Sequence, residues 1–166
     1  MKKIMVFLIL SVFLSMTNKV DASIVIEQNL STLNDEVIYF DDGSYIVYSI
    51  KEFNSYAPRS NEIIKDSYTK TSQKRVTKYG SDGSELWVYV LNATFFIETG
   101  ISSECLSSSY STTINDSSWK FSDGNSSFEN NVAYGKGVFK NKVLFITTQT
   151  VNIDIALTCD VNGNLS

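Results

Sequence analysis

Val151-Asn152-Ile153-Asp154-Ile155-Ala156-Leu157-Thr158-Cys159 decides the fold class. Its odd positions are apolar and its even ones mostly polar, the period of two that sends alternate side chains to opposite faces of a strand. One face therefore meets a core, and Cys159 belongs to it. Upstream, Leu86 to Ile97 repeats the pattern, with Trp87, Tyr89, Leu91, Ala93, Phe95 and Ile97 on one face. The other face begins apolar at Leu86, Val88 and Val90 and turns polar at Asn92 and Thr94. That predicts a strand in mid-sheet, covered on both sides for half its length.

Outward from these runs, Asp-Gly dipeptides act as punctuation. Turns are predicted at Asp41-Asp42-Gly43-Ser44, at Gly80-Ser81-Asp82-Gly83-Ser84, and at Ser122-Asp123-Gly124-Asn125 between Phe121 and Phe128. Glycine tolerates the positive φ that hairpins demand, and Asp bonds the backbone that follows it. A further hairpin joins Asn131–Phe139 to Val143–Cys159 by turning at Lys140-Asn141. Asn54 to Asp66 holds the only proline, Pro58, and reads as a loop with a helical turn at Asn61 to Lys65. Ala is scarce and no long stretch repeats at 3.6 residues, which argues against helices. The expectation is an all-β fold, an antiparallel two-sheet sandwich of about seven to nine strands.

The N-terminus reads as an address. Met1-Lys2-Lys3 is positive, Ile4 to Met16 is mostly apolar, and Val20-Asp21-Ala22 offers a cleavage site. A secretory signal over residues 1–22, cut after Ala22, is predicted. The apolar run falls short of the ~20 residues a bilayer-spanning helix needs. The chain is thus expected to be secreted and not an integral membrane protein, with an N-terminal extension at 23–30 and one domain over 31–166. Loss of Lys2, Lys3, Lys19 and Asp21 leaves 11 basic and 17 acidic groups on 144 residues, net −6. That balance argues against nucleic acid as a partner. The chain has no His, which removes Ser-His-Asp and Cys-His nucleophile systems and nearly all catalytic zinc sites.

In an exported chain the two cysteines, Cys105 and Cys159, are expected to form a disulfide. Closing a loop of 54 positions stabilises by roughly 4 kcal/mol on the chain-entropy model. Cys105, Trp119 and Cys159 resemble the immunoglobulin arrangement of a Trp packed on a disulfide. Only seven residues follow Cys159, however, and Leu157 stands where that fold has Tyr. Another sandwich topology is favoured.

Neither cofactor nor metal is expected. Each Asp-Gly turn offers one or two carboxylates, against the six to eight oxygens calcium takes. Gly135-Lys136-Gly137 lacks phosphate-loop spacing, and its glycines mark a bulge or a close crossing. Lys70, Lys74 and Lys78 alternate onto one face, with Arg75 beside them. The stripe suits an anionic wall polymer or acidic partner, or an edge strand guarded against aggregation, and the second reading is favoured. Tyr39, Tyr45, Tyr48, Tyr56 and Tyr110 are candidates for an aromatic binding patch, although aromatics also fill cores. Glu85, Glu98, Glu104 and Glu129 are the carboxylates from which a glycosidase pair would be drawn.

Three stretches carry a resemblance: Glu85-Leu86-Trp87 to Ala93-Thr94-Phe95, Cys105 with its Ser/Thr run into Asp116-Ser117-Ser118-Trp119, and Leu157 to Ser166. In these the chain resembles a group of small secreted β-rich proteins of Gram-positive bacteria with no assigned activity. The resemblance implies export, the disulfide and a β fold. The functional expectation is a secreted, non-catalytic binding domain for a surface glycan, cell-wall polymer or protein. The alternatives are a small carboxylate-dependent glycoside hydrolase, and a structural or immunity-type protein with one protein partner.

Overall fold

The computed structural model describes residues 32–56, 67–144 and 146–166, with side chains from Glu36 to Phe53 and from Ser67 onward. The predicted signal at 1–22, the extension at 23–30, and Pro58 with the helical turn at 61–65 lie outside the described residues. Eight strands follow in chain order: β1 (Thr32–Tyr39), β2 (Tyr45–Tyr56), β3 (Ser67–Tyr79), β4 (Glu85–Glu98), β5 (Ser102–Ile114), β6 (Trp119–Glu129), β7 (Val132–Val143) and β8 (Ile146–Thr158). They form two antiparallel sheets, ordered β1-β2-β3-β4-β5 and β6-β7-β8. The two-sheet, all-β expectation is met. Within each sheet every strand pairs with its neighbour in the chain, so both sheets are meanders, and the Greek-key crossing of the immunoglobulin fold is absent from them.

The Asp-Gly turns at 41–44 and 80–84 form as expected. In each, the glycine takes a positive φ, +79° at Gly43 and +82° at Gly83. The Asp carboxylate accepts the amide and hydroxyl of the following Ser, Ser44 or Ser84. These hydrogen bonds hold the Asp42 and Asp82 carboxyls below the ordinary aspartate range. Ordinary turn bonding thus accounts for both carboxylates.

Asp123-Gly124 is not a turn. Both residues lie inside β6, opposite Val138 and Gly137, with a register shift after Phe121. The glycine serves packing there: a Cβ on Gly124 would lie 2.5 Å from Phe121 Cζ and 2.8 Å from the Lys136 carbonyl. Likewise, β7 continues through Lys140-Asn141 to Val143, whose partner is Ile146, and β2 extends through Asn54 to Tyr56.

The odd face of β4 is the floor of the core. Trp87, Tyr89, Leu91, Ala93, Phe95 and Ile97 are all buried, facing Ala133 and Phe139 of β7 and Val151, Ile153, Ile155 and Leu157 of β8. Tyr89 is the closest fit. Its ring lies against the backbone of β7, where a Cβ on Gly135 would meet its hydroxyl at 2.8 Å and one on Gly137 would meet the ring at 3.0 Å. The hydroxyl donates to the Asn125 carbonyl at 3.2 Å. The close crossing expected of these glycines is therefore an aromatic ring seated on bare backbone. Gly137→Ala should lower stability by about 1–3 kcal/mol through overpacking, read as a lower urea midpoint; an unchanged midpoint would show that the ring can yield.

The expected disulfide is absent: Cys105 and Cys159 are buried free thiols. Each Sγ turns to a carbonyl of its own segment, Ser107 O at 3.4 Å and Asp160 O at 3.7 Å. The join assigned to sulfur is made by backbone at the β6–β7 turn, where Asn130 O accepts Cys105 N–H at 2.7 Å and Asn131 O accepts Cys159 N–H at 3.1 Å. Burial raises both thiol pKa values, which reduces the reactive thiolate. Ellman's reagent should react slowly with the folded chain and count two thiols after denaturation; a count of zero would restore the disulfide.

Candidate functional site

β3 is the middle strand of its sheet, not an edge. Lys70, Lys74 and Lys78 do share a face, and it is the inner one, together with buried Ser72 and Val76. Lys70 Nζ donates to the Gly163 carbonyl at 2.6 Å and pairs with Glu52 at 3.1 Å. Lys74 Nζ donates to the Ala156 carbonyl at 2.8 Å. Lys78 Nζ donates to Ser44 Oγ at 2.6 Å and sits 3.4 Å over the centre of the Phe40 ring. Burial lowers the pKa of Lys74 and Lys78, with the charges of Glu36 and Asp42 respectively acting against it. Arg75 lies on the opposite face, bound to Glu85 at 3.0 Å and to Thr77 Oγ1 at 3.0 Å. Lys70 and Lys74 thus face the C-terminal turn and the other sheet, and Lys78 the β1–β2 turn of its own sheet, rather than a polymer in solvent.

The tyrosines divide between the two faces of the large sheet. Tyr39, Tyr45 and Tyr79 are cross-strand neighbours on its outer face, with ring centres 5.6 and 4.9 Å apart. Tyr79 was not singled out by sequence reading, although it precedes its turn much as Tyr39 does. Because Tyr45 and Tyr79 stack on one another, they form a ladder rather than an open platform for sugars. Tyr48 is on the inner face, where burial, and to a lesser extent Glu36, raises its pKa. Tyr110 also points inward, parallel to Tyr89 at 5.6 Å and donating to the Gly124 carbonyl at 3.0 Å. The side chain of Tyr56 lies outside the described residues.

The polar residues that do converge lie on the outer face of the small sheet. Register places Asn125, Lys136 and Asp154 in one row and Asp123, Val138 and Asn152 in the next. They line a depression of about 410 Å³. Lys136 Nζ and Asp154 Oδ2 pair at 3.3 Å, both side chains mostly in solvent, and Asp123 Oδ1 accepts the Gly124 amide at 2.8 Å. Tyr134, partly exposed, is two residues before Lys136 on the same face of β7. The only sequence signal for this site was the polar half of the alternation in β8, at Asn152 and Asp154.

Chemically the depression offers two carboxylates, two amides and an ammonium, suited to hydrogen-bonding a polar ligand. None of Glu85, Glu98, Glu104 and Glu129 lines it; Glu85 is held by Arg75 and the Asn115 amide. Among the described residues no group of three or more potential ligands is placed to hold a metal ion. Nor, among them, is any helix long and apolar enough to cross a membrane. No family model matches the chain, and no curated protein or solved structure matches it significantly.

Proposed function

We propose that this chain is an exported, non-catalytic binding domain that holds a glycan across the outer face of its three-stranded sheet. The observation that carries the reading is the depression in which Asp123, Asn125, Lys136, Asn152 and Asp154 converge on rigid strands. Carboxylate and amide groups accept and donate to neighbouring sugar hydroxyls, and strand-borne groups hold their geometry better than loop-borne ones. Tyr134, one row along from Lys136, adds an apolar surface for a sugar ring.

A hydrolytic reading draws on Asp123 and Asp154 in the same depression. With β7 between their strands and a two-residue offset, their Cα atoms are roughly 12 Å apart by strand spacing and rise. Glycosidases need two carboxyl groups free to act on opposite sides of the scissile bond, whereas Asp123 Oδ1 is held by the Gly124 amide. Lys136 also occupies Asp154. Binding is therefore favoured over cleavage.

The test is titration calorimetry of the purified chain without residues 1–22 against soluble cell-wall and plant polysaccharides. Removing two amides with Asn125→Ala and Asn152→Ala should weaken the observed binding at least tenfold, on the order of one net hydrogen bond each. Affinity unchanged in the double variant, or no binding to any polysaccharide, would overturn the assignment. Steady release of reducing ends would transfer it to the hydrolase.

A further inference from the structure

The two sheets are unequal, five strands against three, and the mismatch leaves a groove. Beyond β8, the last strand of the small sheet, the inner face of β1 and β2 continues without a strand above it among the described residues. A cavity of about 440 Å³ lies there, with Glu36, Ile38, Tyr48 and Lys74 on the large-sheet side and Asp154 and Ala156 on the β8 side. Ile38 is 43% exposed.

The edge of β8 that borders this groove already accepts one strand. Thr158 N–H and C=O point away from β7 and pair with Ser166, at 2.9 and 3.0 Å. Backbone groups of every second residue in a strand point to the same side, so those of Ala156, Asp154 and Asn152 face the groove as well. Lys74 reaches the Ala156 carbonyl there, and a carbonyl retains a second lone pair for an incoming amide.

We propose that this edge is a strand-accepting site, in which an extended segment of a partner protein adds antiparallel to Asn152–Ala156 as a fourth strand of the small sheet. The chain's own Ser166 rung sets the line and direction. A strand added at the ordinary spacing of about 4.8 Å comes to lie above Ile38 and Tyr48. Its inward residues are therefore apolar, and main-chain hydrogen bonds supply the rest of the affinity. Charge defines the partner further: residues alternating with the inward ones lie on the outer face beside Asp154, whose side chain is exposed, and cross-strand neighbours of opposite charge attract. The segment thus alternates apolar with basic residues. This site borders the glycan face and shares Asn152 and Asp154 with it, but it uses their groove-facing backbone and does not depend on glycan binding.

The experiment uses a fluorescein-labelled (Lys-Val)₄ peptide as probe, with (Glu-Val)₄ as control, and the purified chain without residues 1–22 under amide hydrogen exchange. The basic peptide should bind at least tenfold more tightly than the acidic one and slow exchange at Asn152, Asp154 and Ala156. Ala156→Pro removes a groove-facing N–H while leaving the β7 ladder intact, and should weaken peptide binding at least tenfold with glycan titration unchanged. Ile38→Lys, on an exposed position, should do the same by charge and guards against misfolding of the proline variant. No binding at 1 mM peptide, protection appearing only along β1, or binding indifferent to both variants would overturn the proposal. Self-association of the free chain with the same protected amides would replace the partner by a second copy.

Discussion

Replacing Trp87 by Ala lowers the free energy of unfolding by about 3–5 kcal/mol, a large share of the roughly 5–15 kcal/mol that holds a domain folded. Trp87 is fully buried, lies flat on Phe139 at 3.9 Å between ring centres and 6° between planes, and meets the edge of Trp119 at 6.0 Å. It therefore joins β4 of one sheet to β6 and β7 of the other. Removing it opens a cavity that two rigid sheets cannot close. Its indole Nε1 has no hydrogen-bond partner, so part of its burial opposes folding. Trp87→Phe keeps the stack and removes that donor, and should cost less than about 2 kcal/mol. Urea unfolding followed by circular dichroism separates the two; equal losses would show that stacking is not what stabilises the sheet pair.

Lys78 gives the second large effect, with opposite outcomes from two substitutions. Its side chain is wholly buried, its ammonium held by Ser44 Oγ and the Phe40 ring. Lys78→Ala removes the packed stem and should cost about 2–4 kcal/mol. Lys78→Met keeps the stem and discards a desolvated charge, and should be neutral or stabilising at pH 7. The pH dependence follows from the lowered pKa. Between the folded value and the ordinary 10.5, the unfolded chain binds more protons than the folded one, so stability rises with pH across that window. The variant lacks that rise, and its advantage over the natural chain should shrink between pH 7 and pH 10. A methionine variant as unstable as the alanine one would mean that the ammonium contacts outweigh desolvation.

These two residues also show what could be read in advance. Trp87 sits in an unbroken apolar alternation, and any strand there must bury that face, whichever strands lie beside it. Lys78 sits in an alternation of lysines, which sequence reading turns toward solvent because charges are seldom buried. The structure turns them inward because Val76 and Ser72 share their face and a hydroxyl, a ring and carbonyls from two turns and β8 meet the ammonium groups. Asp123-Gly124 misled for a related reason: the dipeptide that makes hairpins at 42–43 and 82–83 also suits a strand where Phe121 covers the glycine. The candidate glycan face was nearly invisible, since its five polar side chains come from three strands and none forms a motif along the chain.

Alternation of residue types along the chain was enough to establish strands, their faces, two of the turns and an all-β body, because these depend on neighbours within a few positions. Which face of β3 is inward, that Cys105 and Cys159 are free thiols, and where a groove opens beside β8 were settled only by folding. A period of two says which side chains point together, whereas what they point at depends on strands that sequence separation leaves unspecified.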